Sequence, residues 1–146
     1  MRELPRKLSV EELSELFEGR TRLVELLAET EDPLGRADTV VTRLDEAEKV
    51  EALAAHPVIG QHSGLSARSA VEQGSDKDPA VLSELAYLNQ VYEEKFGFRF
   101  VVFVAGRPKR EILEVLRARI ANTREQELDT GCRELVAIAR DRWTRT

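Results

Sequence analysis

Residues 78–104 have the sequence DPAVLSELAYLNQVYEEKFGFRFVVFV. Asp78 followed by Pro79 is a strong helix start, with the aspartate as N-cap and the proline at the first helical position. Apolar residues then recur at helical spacing up to Gly97, a residue typical of helix ends. The residues on this face are Val81, Leu82, Leu85, Leu88, Tyr92 and Phe96. These signals predict one long helix over residues 79–96.

The run that follows has a different pattern. Residues 98–104 are rich in aromatic and β-branched side chains, and they are bounded by Gly97 on one side and by Gly106 and Pro108 on the other. Periodicity alone predicts a strand, and a buried extended segment is the alternative. A lone strand would have no partner for its backbone N–H and C=O groups. The sequence therefore favours an all-α fold, a single-domain helical bundle with this apolar segment extended and buried between helices.

The chain before this stretch carries further helical patterns. Ser9 and Glu12 form a capping-box pattern, and the apolar spacing after them predicts helix with an interruption at Gly19. Pro33 and Gly35 are expected to break the chain.

A second apolar pattern covers residues 40–54 and leads to His56. It should end there, because a residue that precedes proline is pushed out of the α-helical region. Residues 57–78 are the most loop-like part of the chain. From Pro108 onward, two more helical patterns meet at residues 122–123. Together the patterns predict five or six helices and at most one strand.

Composition restricts the function classes. The chain has 146 residues, a mass of 16.5 kDa, 42% hydrophobic and 34% charged residues, which fits one domain over residues 1–146. The formal charge of −5 argues against a surface that follows nucleic-acid phosphates. No apolar run approaches the roughly 18–20 residues that span a bilayer, and the N-terminus has no signal-peptide pattern. We therefore expect a cytoplasmic protein, neither exported nor anchored, that binds neither nucleic acid nor membrane.

Common cofactor and metal motifs do not occur in the sequence. Cys132 is the only cysteine, which excludes an internal disulfide and fits a reducing compartment. The glycine-rich nucleotide loops, the serine-hydrolase elbow and the HExxH zinc motif are absent. Dinucleotide, nucleotide, hydrolase and zinc chemistry therefore have no support from motifs.

His56 is the strongest candidate for catalysis. It lies at a predicted helix C-terminus, where the helix dipole and free carbonyls favour a protonated imidazole. We therefore expect a raised pKa, suited to a proton donor near neutral pH. The alternative is that His56 only caps the carbonyls of the helix end. His62, the second histidine, is six residues away, a spacing unlike the i, i+4 pair that shares a metal, and an exposed loop position is favoured for it.

Two further groups are candidates for ligand binding. Ser69 and Glu72 fit a capping box, and together with Gln73 they also offer a hydroxyl, a carboxylate and an amide to a polar ligand. Arg142 could bind a carboxylate or a carbonyl through two parallel hydrogen bonds, and a solvated terminal arginine is the alternative. The sequence leaves open whether Arg142 or Arg140 faces a pocket.

Several segments, taken in order, resemble one known family. They are FEGRT at 17–21, AHPVIG at 55–60, SAVEQ at 69–73, LNQVYEEKFGFRFV at 88–101, GRP at 106–108, LRARI at 116–120 and IARDR at 138–142. The set covers nearly the whole chain and resembles the family of 2-oxo-4-hydroxy-4-carboxy-5-ureidoimidazoline (OHCU) decarboxylases, which act in urate breakdown. The His-Pro, Ser-x-x-Glu-Gln and Lys-Phe-Gly-Phe motifs in this order are specific to that family.

The resemblance implies an all-α homodimer without a metal or organic cofactor, which converts OHCU to (S)-allantoin and carbon dioxide. Carried over position by position, His56 matches the catalytic histidine. The implied substrate-binding residues are Pro57, Ser69, Glu72, Gln73 and Arg142 and, through the backbone, Phe100, Val101, Val102, Phe103 and Val104. A ligand-binding backbone would explain a strand-like run in a helical protein.

The chemistry of such a reaction suits a histidine. We hypothesise that His56 mediates proton transfer, either at the 4-hydroxyl or at the ring carbon, while Glu72 orients N–H groups of the substrate. Two alternatives belong to other classes of protein. One is a non-enzymatic helical interaction module, in which His56 and Glu72 are capping residues. The other is a metal hydrolase that uses His56, His62 and Glu72, although the spacing does not favour it.

Overall fold

A computed structural model of the protein describes residues 3–57 and 78–145. Seven helices form the regular structure of this described part, which contains no strand. In chain order they are α1 (Val10–Phe17), α2 (Arg22–Ala28), α3 (Pro33–Val41), α4 (Glu46–Ala54), α5 (Pro79–Phe96), α6 (Lys109–Ile120) and α7 (Arg124–Arg145). None of the described helices is long and apolar enough to cross a membrane. The all-α class is confirmed, and the expected number of five or six helices was too low.

Local signals set the first two helices. Ser9 accepts a hydrogen bond from the backbone N–H of Glu12, whose side chain accepts one from the N–H of Ser9, so the predicted capping box is present. Helix α1 ends because Glu18 adopts a left-handed conformation with φ +64°. Thr21 then caps α2 through its side-chain oxygen. The interruption expected at Gly19 is confirmed, and it begins one residue earlier.

Two predictions between residues 33 and 54 are wrong. Pro33 is the first residue of α3. At this position a backbone N–H would have no acceptor inside the helix, so proline costs no hydrogen bond, and Gly35 lies inside the helix. The single pattern over residues 40–54 is divided between α3 and α4, because Asp45 starts a new helix through a capping box with Glu48. Both helices bury their apolar side chains in one core, so the hydrophobic periodicity does not show where α3 ends and α4 begins.

Helix α7 is the centre of the packing. It contacts α1, α3 and α4. Its buried apolar residues are Leu128, Cys132, Leu135, Val136, Ile138, Ala139 and Trp143. Gly131 allows a close approach to α4, since a Cβ atom at this position would lie 3.2 Å from Cδ2 of Leu53. The end of α4 that carries His56 is therefore held against the helix that carries Arg142.

Helix α5 matches its prediction at both ends. The Asp78 side chain accepts a hydrogen bond from the N–H of Ala80, and the helix ends at Gly97 with φ +79°. Helices α5 and α6 pack together, and residues 98–104 connect them as an extended segment. Its buried side chains are Phe98, Phe100, Val101, Val102 and Val104. The prediction of a buried extended apolar segment is confirmed.

Side chains, rather than a neighbouring strand, satisfy the backbone of this segment. Arg119 donates from Nη1 to the carbonyl of Val101 at 2.8 Å. Arg107 donates from Nη2 to the carbonyl of Phe103 at 2.6 Å, while the N–H of Phe103 donates to Oε1 of Glu134 at 3.3 Å. Because buried backbone groups need hydrogen-bond partners, these contacts make an unpaired extended segment possible in a helical core.

Arg119 also belongs to a buried polar network. Its Nε donates to Oε1 of Glu127 at 2.7 Å, and the hydroxyl of Tyr92 donates to the same oxygen at 2.7 Å. Nδ2 of Asn122 donates to Oε2 of Glu127 at 2.9 Å. The Arg119 guanidinium lies 4.6 Å from the ring centre of Phe100. The network ties α5, α6 and α7 to the extended segment.

Candidate functional site

His56 lies just beyond the C-terminal end of α4, as predicted. Its N–H donates to the carbonyl of Leu53 at 3.2 Å, which closes the last turn. The residue is half-buried, and its Nδ1 atom is buried without a hydrogen-bond partner among the described residues. Since buried polar atoms are normally paired, this nitrogen is a position that a ligand can satisfy.

Arg142 is brought to this histidine from α7. Its side chain is fully buried, Nη1 donates to the carbonyl of Leu16 at 2.9 Å, and the same nitrogen lies 3.1 Å from Oε1 of Glu18. The interpretation of Arg142 as a solvated terminal arginine is therefore wrong. Arg140 instead contacts α3, where its Nε donates to the carbonyl of Leu34 at 2.7 Å. The tertiary structure thus distinguishes two arginines that the sequence left equivalent.

Glu18 is a site residue that the sequence reasoning missed. Its left-handed backbone conformation costs a residue other than glycine roughly 1–2 kcal/mol. Such strain persists where the surrounding structure imposes it, and here the Glu18 carboxylate pairs with buried Arg142. The signal available in the sequence was its place in residues 17–21, one of the segments that carry the family resemblance.

The electrostatic environment lowers the pKa of His56 from its usual 6.5 to about 4. Burial of the imidazole is the largest cause; the positive charges of Arg142 and Arg99 also lower the pKa, whereas the Glu18 carboxylate raises it. The prediction of a raised pKa is wrong, because a helix dipole contributes only about 0.3–1 kcal/mol and these opposing effects exceed it. His56 is neutral at pH 7 and can accept a proton there.

Arg99 connects His56 to the extended segment. Its Nη1 donates to the backbone carbonyls of both Ala54, at 2.9 Å, and His56. The next residues along the chain, 100–104, are those whose backbone is expected to contact a ligand. The structure therefore places the start of this segment against the turn that carries the histidine. The sequence gave no separate signal for Arg99 beyond its place in residues 88–101.

The other predicted residues have different outcomes. Pro57 follows His56 directly and is half-buried. Ser69, Glu72 and Gln73 lie outside the described residues, as does His62. Within residues 3–57 and 78–145, no three His, Cys, Asp or Glu side chains are grouped so that they could hold a metal ion.

The described part of the site combines a neutral histidine with a buried arginine–glutamate pair. A neutral imidazole can take a proton from a bound molecule, and a buried guanidinium favours a negatively charged or strongly polar oxygen. The fold and the site together define an all-α protein in which a neutral histidine lies near a buried arginine–glutamate pair.

A comparison with known protein families identifies the family to which the chain belongs. The family model described as OHCU decarboxylase matches residues 2–144. The chain belongs to the OHCU decarboxylase family, and the resemblance read from its motifs is confirmed.

Three curated relatives match between 61% and 70% of the chain. "Uric acid degradation bifunctional protein TTL" of Arabidopsis thaliana is 35% identical over 98 residues, which cover 61% of this chain and 30% of that protein. "Uric acid degradation bifunctional protein PucL" of Bacillus subtilis is 32% identical over 107 residues, 70% of this chain and 22% of that protein. "2-oxo-4-hydroxy-4-carboxy-5-ureidoimidazoline decarboxylase" of Halalkalicoccus jeotgali is 32% identical over 98 residues, 64% of this chain and 56% of that protein. The matches thus span between 22% and 56% of the length of these relatives.

Solved structures share the fold. A structure described as "OHCU decarboxylase in the presence of (S)-allantoin" superposes with a TM-score of 0.75 at 23% identity, covering 92% of this chain and 96% of that one. A structure of "(S)-allantoin synthase" superposes with a TM-score of 0.70 at 23% identity, covering 93% of this chain and 48% of that one.

Proposed function

We propose that the protein is a carboxy-lyase that converts OHCU to (S)-allantoin and carbon dioxide in urate degradation. Membership of the OHCU decarboxylase family and the names of the curated relatives support this reaction. The observation that carries the proposal is the neutral His56 beside the buried Arg142–Glu18 pair. As the family resemblance implies, the proposed reaction uses no metal or organic cofactor.

The reaction needs a controlled proton transfer. The bond between the ring and the carboxylate breaks, carbon dioxide leaves, and the electron pair of that bond stays on the ring and its adjacent C=N group. One proton from solvent neutralises this charge. The 4-hydroxyl loses its proton as its oxygen becomes a carbonyl, and the neighbouring ring carbon gains a proton on one face. Stabilising this charge and choosing this face are the tasks of the protein.

The neutral state of His56 favours one of the two roles left open by the sequence. An imidazole with a pKa of about 4 is ready at neutral pH to accept the proton of the 4-hydroxyl, and it can return that proton to the ring carbon. We therefore propose His56 as the base of the first transfer. A bound carboxylate would add a negative charge near His56 and make the protonated intermediate easier to reach.

The proposed substrate-binding residues are those that the family resemblance implies. Arg142 holds a carboxylate or ureido oxygen, since its guanidinium is already fixed by the Leu16 carbonyl and Glu18. The remaining proposed contacts are those of Pro57, Ser69, Glu72 and Gln73 and of the backbone of Phe100, Val101, Val102, Phe103 and Val104. Glu72 is proposed to orient the ring and ureido N–H groups.

The test generates OHCU from urate with the two preceding enzymes of the route and follows circular dichroism. Rapid appearance of the (S)-allantoin signal is expected with the wild-type protein. His56→Ala should lower turnover by about 10²–10⁴-fold, the usual range for loss of a general base. His62→Ala is the matched control, because it removes the other of the two histidines, and it should retain turnover.

Two outcomes would contradict the proposal. Wild-type protein that leaves the spontaneous rate unchanged would refute the decarboxylase activity and favour the interaction-module alternative. Full, enantioselective turnover by His56→Ala would refute the role of the histidine while leaving the activity in place.

We further propose that residues 1–146 act as one domain and that the working form is a cytoplasmic homodimer, as the family resemblance implies. Light scattering of the full chain after size-exclusion chromatography tests the assembly. A mass near twice 16.5 kDa is expected, and a mass of one chain at working concentration would refute the dimer.

A further inference from the structure

Arg99 is the only charged residue in the segment 98–104, and it is directed at the end of α4. Its Nη1 donates to the carbonyl of Ala54, which the helix end leaves without a partner inside the helix, and to the carbonyl of His56 just beyond the helix. A helix C-terminus carries partial negative charge, so a guanidinium is a favourable partner there. Arg99 thus holds the backbone of the residue that is proposed as the catalytic base.

The same side chain also makes a longer ion-pair contact with α5, although its Nε forms no hydrogen bond with a described residue. Nε of Arg99 lies 3.6 Å from Oε1 of Glu93, which is in the last turn of that helix. Gly97 ends the helix with φ +79°, and Arg99 follows two residues later. The guanidinium therefore lies between a carboxylate of α5 and the final carbonyls of α4. The hydrogen bonds to α4 are the contacts that fix its position.

We propose that Arg99 is a positioning residue that keeps His56 in a fixed position relative to the backbone of residues 100–104. The inference rests on the proposed function, in which His56 is the base and residues 100–104 contact the ligand. Because Arg99 is bonded covalently to Phe100, any movement of the α4 end away from Arg99 separates the base from the ligand-binding backbone. Misplacement of a reacting group by about 1 Å can lower a rate by roughly 10²-fold.

Arg99 also contributes charge at the histidine. The charged groups that act on His56 are Arg142 from α7, Glu18 from the end of α1 and Arg99 from the extended segment. Arg99 lowers the pKa of His56, so its removal should raise that pKa toward 6.5. The titration therefore reports how close the Arg99 charge lies to the imidazole, whereas kcat and the enantiomeric purity of the product report how His56 is positioned.

Three variants separate positioning from stability. Arg99→Met keeps much of the apolar stem and removes the donors and the charge. Arg99→Lys restores a charge and a donor. Arg124→Met is the matched control, because Nε of Arg124 donates to the Phe96 carbonyl at 2.8 Å and its guanidinium pairs with Glu46 at the other end of α4. It removes the same kind of arginine contact from the N-terminal end of α4, the end opposite His56, although the Arg124 guanidinium also lies 5.4 Å from the ring centre of Phe98.

Steady-state kinetics with OHCU and the enantiomeric purity of the allantoin give the first measurement. Arg99→Met should lower kcat by about tenfold or more, lower the enantiomeric purity and leave KM within about threefold, since positioning is lost and binding is kept. The acidic limb of the kcat/KM profile should move to higher pH. Arg99→Lys should recover part of kcat and most of the pH profile. Arg124→Met should retain the wild-type kcat, KM, enantiomeric purity and pH profile.

A second measurement needs no substrate. NMR titration of the imidazole ring follows the pKa of His56 directly, and loss of the signal in His56→Gln assigns it, since the chain has two histidines. The pKa should rise in Arg99→Met and stay unchanged in Arg124→Met. If wild-type protein does not decarboxylate OHCU, the proposed function fails, and the titration still tests whether Arg99 controls His56. A lowered Tm in Arg99→Met with unchanged kcat, purity and His56 titration would overturn the inference.

Discussion

Acidification from pH 7 to pH 4 is expected to destabilise the protein by about 3 kcal/mol through His56 alone. The folded-state pKa of about 4 lies below the 6.5 of an unfolded chain. Between these values the unfolded chain binds a proton that the folded protein does not, so unfolding becomes easier as the pH falls. The gap between 6.5 and about 4 corresponds to about 3 kcal/mol at 1.36 kcal/mol per pH unit. The contribution is fully present above pH 6.5 and is lost as the pH approaches 4.

Urea unfolding followed by circular dichroism at pH 7, 6, 5 and 4 gives the assay. Carboxylates also titrate in this window, so the relevant quantity is the difference between wild type and His56→Gln. Wild type should lose about 3 kcal/mol more than His56→Gln between pH 7 and pH 4, because glutamine cannot take up the proton. His62→Gln, which changes the other histidine, should follow wild type.

Equal pH dependence in wild type and His56→Gln would refute the reasoning. So would an NMR titration in which the His56 ring takes up its proton near pH 6.5. Either result would mean that burial and the two nearby guanidinium groups do not hold the imidazole neutral in solution.

Two further predictions concern the buried charges. Arg119→Met should lower the free energy of unfolding by about 3–5 kcal/mol, because it leaves the Glu127 carboxylate buried without the arginine that pairs with it. Urea unfolding measures this change, and a loss below about 1 kcal/mol would contradict the prediction. Glu18→Gln should lower the pKa of His56 further and reduce stability by about 1–3 kcal/mol, because the ion pair between Arg142 and the Glu18 carboxylate is lost. NMR titration measures the first effect and urea unfolding the second, and a raised pKa would exclude the assigned role of Glu18.

Much of the fold was predictable because its signals are local. The Asp78–Pro79 start, the Gly97 end and the Ser9 capping box each depend on residues within one turn of one another. The buried extended segment was predictable by a different argument, that an isolated strand cannot satisfy its backbone. The identity of its partners was not predictable, because Arg119 and Glu134 reach the segment only in the folded chain.

The errors have the same physical origin. Pro33 and Gly35 are breakers by composition, but proline is also favoured at the first helical position, and the chain around it decides which applies. The pKa of His56 was predicted from its own helix, whereas its largest perturbations are burial and the charge of Arg142, which is 86 residues away in sequence.

By itself the sequence determined the helical class, the position of the long helix and of the extended segment, and the family, because these depend on local patterns and on motifs in a set order. The tertiary structure alone decided that Arg142 rather than Arg140 lies by the histidine, that Glu18 pairs with it, and that His56 is neutral. These properties depend on which residues of distant helices meet and on how much water they exclude. Spacing along the chain does not encode either quantity, since desolvation and charge interactions act through space.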